Sequence, residues 1–131
     1  MRNLLLAALF TAAPLSLAVA QDAPNFFADT YPEHALDEAM TLYSTLGNEE
    51  AALGDKEREL IALGVSAQIP CAYCVYAHMK NARAAGASEA EIREAVATAA
   101  MIRHWSTVLN GMAYDLDSFK AEHDRIAPAT N

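Results

Sequence analysis

Apolar residues recur at helical spacing along most of this chain and nowhere sustain the alternation of a strand. That period most constrains the fold. Leu36, Met40, Tyr43 and Leu46 repeat at three to four residues in "TYPEHALDEAMTLYSTLG". Leu60, Ile61, Leu63, Gly64 and Ala67 make a broad apolar face in "GDKERELIALGVSAQI", and Ile92, Ala95, Val96, Ala99 and Ile102 do so in "ASEAEIREAVATAAMIRHW". The punctuation agrees. Thr30 with Glu33, and Ser88 with Glu91, have capping-box spacing, and Asp55 is expected to cap the second helix. Pro70 is expected to end that helix and to occupy the first turn of the next, which Gly86 closes. "STVLNGMAYDLDSFKAEHD" reads as a last helix, either continuous with the previous one or set off by a bend near Arg103 to Trp105. The Asn110-Gly111 pair lies inside helical periodicity rather than between strand-like runs. The expectation is an all-α fold of about five to six helices, in one domain over residues 21–131.

The first twenty residues are set apart from that fold. "MRNLLLAALFTAAPLSLAVA" has a positive charge at Arg2, an apolar run broken by Pro14, and Ala18 and Ala20 at A-x-A spacing. This is the layout of a secretory signal peptide cleaved before Gln21, so the mature chain of 111 residues is expected in the periplasm or outside the cell. Without Arg2, the mature chain has 8 Lys/Arg against 17 Asp/Glu, a charge of −9. Such an acidic surface argues against nucleic acid or anionic membranes as partners. The helices are rich in alanine, which buries little apolar area per residue, so assembly with further copies of the chain is expected.

The chain's two cysteines, Cys71 and Cys74, stand three residues apart, and His78 follows four residues after the second. On a helix these three share one face, with Cys74 and His78 as direct i, i+4 neighbours. A helix N-terminus favours thiolate over thiol, and the thiolate is the attacking species in redox chemistry. Glu59, on the preceding helix, can reach the far side of His78 and orient it as a base, although acids are common in a helix's first turn for other reasons. A structural staple is a weaker reading, because the loop closed is too short to restrain the unfolded chain much. A metal site is weaker still, since C-x2-C zinc sites draw a second ligand pair from elsewhere and this chain has no further cysteines.

Glu59, eleven intervening residues, then Cys71-x-x-Cys74-x-x-x-His78 resembles the pattern of the alkylhydroperoxidase D-like family, within the carboxymuconolactone decarboxylase superfamily. The likeness runs from about Ala51 to Tyr114 and includes "LGDKERELIALGVSA" and "CAYCVYAHMKNARAAGASEAEIREAV". It implies an all-α fold assembled as a trimer or hexamer, a hydroperoxide substrate, a thiol reductant of unknown identity, and no bound cofactor. By similarity Cys74 attacks the peroxide, its proton drawn toward Glu59 through His78, and Cys71 resolves the sulfenic acid into a disulfide. The chain departs from the best-characterised type in having Ala72 and Tyr73, rather than a histidine, between the cysteines. A leader sequence would also carry it away from the lipoyl-bearing donor familiar in that family. A thiol–disulfide oxidoreductase and a non-enzymatic domain with an inert local disulfide are the rival readings. His34 and His123 read as exposed helix residues, His104 and Trp105 as lining a pocket or packing at a bend, and Tyr76 and Met79 as packing residues.

Overall fold

The computed structural model describes residues 23–127; the expected signal peptide over residues 1–20 lies outside them. Six helices and no strand occur among the described residues: α1 (Asn25–Ala28), α2 (Glu33–Thr45), α3 (Asp55–Gln68), α4 (Ala72–Ala84), α5 (Glu89–Gly111) and α6 (Leu116–Ile126). The fold is all-α, as the periodicity requires. None of these helices is long and apolar enough to cross a membrane.

The chain divides into two compact units, one ending at Leu46 and the other beginning at Gly47. In the first, α1 packs on α2, with the Phe27 ring 6.4 Å from that of Tyr43. The expected Thr30–Glu33 capping box does not form. Pro32 occupies the N-cap of α2 without a side-chain cap, and the Thr30 hydroxyl donates backward to the Phe26 carbonyl at 2.6 Å.

The second unit is built on α3, which packs against both α4 and α5. Leu63, Ala82, Ala87 and Ile92 are its buried apolar residues, and Leu60, Val75 and Met79 pack around them. Gly54, not Asp55, is the N-cap of α3; Asp55 lies inside the first turn and pairs with Arg58. Ser88 and Glu91 do form their reciprocal capping box at the start of α5. Glu91 also accepts a hydrogen bond from Lys56 Nζ at 2.8 Å, tying the first turn of α5 to that of α3.

α5 runs without a break through Arg103, His104 and Trp105. Gln68, at the end of α3, holds this stretch: its Nε2 donates to the Ala99 carbonyl, and its Oε1 accepts from Arg103 Nε at 2.7 Å. The chain turns later, at Met112 to Tyr114, and Asp115 then caps α6 by accepting from the Ser118 N–H at 2.8 Å. α6 packs on none of α3, α4 and α5 among the described residues.

Candidate active site

The link between α3 and α4 sets the site. α3 ends at Gln68, and after Ile69 and Pro70 the Cys71 N–H donates to the Ser66 carbonyl at 3.1 Å, turning the chain sharply back. Pro70 therefore lies before α4 rather than in its first turn, and Cys71 is the N-cap. Its sulfur accepts from the Cys74 N–H at 3.2 Å, the role an oxygen usually fills at such a position. Cys71 and Cys74 are joined as a disulfide with their Cα atoms 5.3 Å apart. Both are half-buried.

One turn after Cys74, His78 meets Glu59 from α3: His78 Nδ1 lies 2.7 Å from Glu59 Oε2. Both side chains are largely withdrawn from water, at 23% and 17% exposure, so the contact is stronger than a surface pair would be. A carboxylate can only accept here, so His78 Nδ1 carries the proton. In the neutral imidazole this leaves Nε2 as the basic nitrogen. The structure thus brings all four sequence-derived candidates, Glu59, Cys71, Cys74 and His78, onto two neighbouring helices.

Other residues fall elsewhere. A groove of about 550 Å³ lies between α3 and α5 and is lined by Ile61, Gly64, Val65, Ala99 and Ile102 among others. None of the four candidates lines it. Arg103 and Ser106 line its end, whereas His104 and Trp105 stack edge to face on the exposed side of α5. His34 and His123 are exposed, as expected. Met79 packs against the core, but Tyr76 does not: it is 68% exposed, and Tyr73 between the cysteines is 90% exposed. Helical geometry carried the signal, because Tyr73, Tyr76 and Lys80 share an i, i+3, i+7 stripe opposite Val75, Met79 and Ala82.

Two comparisons with known proteins bear on this geometry. A family model described as the carboxymuconolactone decarboxylase family matches residues 34–115, a span that includes Glu59, both cysteines and His78. A Paracoccus denitrificans protein described as "Uncharacterized protein 4 in cox locus" is 33% identical over 69 residues, which are 53% of this chain and 62% of that protein. The match therefore spans less than two thirds of that relative's length.

Proposed function

The chain belongs to the carboxymuconolactone decarboxylase family, which includes alkylhydroperoxidase D-like proteins, and we propose that it is a dithiol peroxidase reducing hydroperoxides. The observation that carries this reading is the 2.7 Å contact between His78 Nδ1 and Glu59 Oε2, one helical turn beyond Cys74. With Nδ1 engaged, His78 is oriented as a base toward the thiol that precedes it by four residues. In the reduced protein His78 takes the Cys74 proton, and the thiolate attacks the terminal peroxide oxygen. The O–O bond breaks, an alcohol leaves with a proton, and Cys74 becomes a sulfenic acid. The Cys71 thiol then displaces hydroxide from that sulfur, which leaves as water, and the Cys71–Cys74 disulfide forms. The disulfide in the structure is the product such a cycle would leave.

In this reading the enzyme acts outside the cytosol, which the leader-like Met1–Ala20 supports, and it works as a homo-oligomer. Support for assembly comes from the small core and from the exposed stripe of Ile61 and Val65 on α3 with Ile69 just beyond its end. Mass spectrometry of the exported protein would find a chain beginning near Gln21, and light scattering would find a trimer or larger.

The decisive experiment is to reduce the protein, count its thiols, and add a hydroperoxide. Loss of two thiols per peroxide, with continuous turnover once a dithiol reductant is supplied, is expected. Protein-disulfide exchange without peroxide consumption would replace this reading with a thiol–disulfide oxidoreductase, and no reaction would leave an inert disulfide.

A further inference from the structure

We infer that α6 of one copy of this chain seats in the apolar groove between α3 and α5 of another copy. The inference deepens the homo-oligomer reading above, on which it rests, by naming the two surfaces that meet.

The groove is shaped for an apolar helix. Gly64, Ala95 and Ala99 line it as small residues, and Ile61, Val65 and Ile102 stand along it with more than half of each side chain open to solvent. Small residues beneath such walls let a further helix approach closely, and a contiguous open apolar strip marks an interaction site. The groove follows α5 from Ala95 to Ser106, a rise of about 16 Å.

α6 is the matching half. Leu116, Phe119, His123 and Ile126 recur at i, i+3, i+7 and i+10 and so share one face. Leu116, Phe119 and Ile126 are 62%, 40% and 63% exposed, since this helix packs on none of α3, α4 and α5 among the described residues. α6 has 11 residues, which makes it about 16 Å long, the length of the groove. A helix of that length is marginal in water by itself, so its apolar face needs a surface to stand on. Its ion pairs, Lys120 with Asp117 and Arg125 with Glu122, run within the helix, so seating that face breaks no tie to another element.

The turn before α6 decides whose groove it enters. The Tyr114 N–H donates to the Leu109 carbonyl and the Ala113 N–H to the Asn110 carbonyl, each at 3.0 Å, and Asp115 then caps α6. To cover its own groove, α6 would have to fold back along α5 past Val108 to Ser106 and beyond. This turn instead carries it clear of α3, α4 and α5. A second copy supplies what is missing. Each copy has one such helix and one such groove, so exchange satisfies both in every member of a closed assembly, as a reciprocal pair or as a ring.

The test uses the full chain in its oxidised form, whose own cysteines are joined and leave an introduced thiol as the reactive one. Chains carrying Val65→Cys in the groove are co-expressed with chains carrying Phe119→Cys on α6, under different tags, and treated with a short bismaleimide. Crosslinks joining one chain type to the other should exceed those between like chains by about tenfold, as proximity in the assembly dictates. Phe119→Asp and Ile102→Asp should each weaken association by about tenfold or more in light scattering, with helix content unchanged by circular dichroism. Crosslinks confined to like chains would overturn the proposal. So would a chain with both cysteine substitutions that crosslinks within itself, since α6 would then cover its own groove, and so would assembly unaltered by Phe119→Asp. A protein that is monomeric throughout would remove the homo-oligomer reading as well, whereas an oligomer without the mixed crosslink would remove this pairing alone.

Discussion

Glu91 accepts hydrogen bonds from Lys56 Nζ at 2.8 Å and from the Ser88 N–H at 2.7 Å, so one carboxylate both caps α5 and ties it to α3. These bonds, the Lys56 one foremost, hold its carboxyl down from an ordinary 4.5 to about 2. The unfolded chain therefore takes up this proton first as pH falls. The contribution to stability is complete above about 4.5 and disappears as pH drops toward about 2. Thermal melting midpoints measured across that range should fall less steeply in Glu91→Gln than in the parent. Salt should weaken the Lys56 part, because both side chains are more than a third exposed or close to it. An unchanged acid slope in the variant would remove Glu91 from the account.

Gly64 sits mid-helix in α3 facing α5, where a Cβ would lie 3.4 Å from the Ala99 Cβ and 3.8 Å from the Ala95 carbonyl. Those are ordinary contacts, so one methyl fits. Gly64→Ala should stabilise the fold by about 0.5–1 kcal/mol through helix propensity and a less free unfolded chain. Gly64→Val puts a β-branched side chain mid-helix against Ala95 and Ala99 and should leave the protein less stable than Gly64→Ala does. Urea midpoints at unchanged slope would read both effects.

Two helices end in the same motif with different residues. At the end of α4, Ala87 N–H bonds to Ala82 O at 2.9 Å and Gly86 adopts φ +86°. At the end of α5, Tyr114 N–H bonds to Leu109 O at 3.0 Å, and the left-handed position is Ala113 at φ +48°. An L side chain in that region costs about 1–2 kcal/mol. Gly86→Ala should therefore destabilise the protein by about 1 kcal/mol or more, while Ala113→Gly should stabilise it by up to about 1 kcal/mol, reduced by the freedom glycine gains when unfolded. Opposite shifts of the denaturation midpoint in the two variants are the expected result.

The helices were legible because their apolar faces repeat over three or more turns, and the Ser88–Glu91 box because both partners are local. The other caps were harder to place. The Thr30 hydroxyl has a competing acceptor in Phe26 O, and Asp55 has a competing partner in Arg58, each a choice that spacing alone leaves open. The choice between a bend and a continuous helix near Arg103 could not be made locally, because Gln68 grips Ala99 and Arg103 from 31 and 35 residues away, a long-range contact no local pattern reveals. Cys71, Cys74 and His78 share a face by helical arithmetic. The meeting of Glu59 with His78 instead depends on the reversal at Ile69 and Pro70, which the sequence marks only with a proline.

The last prediction concerns which sulfur attacks. Cys71 is the N-cap of α4 and Cys74 is one turn before His78, so helix-terminus electrostatics favours one thiol and the base favours the other. In the proposed peroxidase, with Glu59 holding Nδ1, the basic nitrogen of His78 would serve the i−4 position and Cys74 would be the attacking residue. In Cys71→Ser, peroxide should then leave a sulfenic acid accumulating on Cys74, since the thiol that would resolve it is gone. Cys74→Ser should lose peroxide consumption altogether. His78→Ala should slow the first step by about 10²–10⁴-fold, the usual cost of removing a general base. Glu59→Gln should slow it less, because the amide can still accept from Nδ1 but no longer stabilises the imidazolium that forms. Stopped-flow peroxide consumption with a sulfenic-acid trap reads all four variants. Sulfenic acid on Cys71 with an active Cys74→Ser would exchange the two roles, and unchanged rates in both His78→Ala and Glu59→Gln would reject the relay.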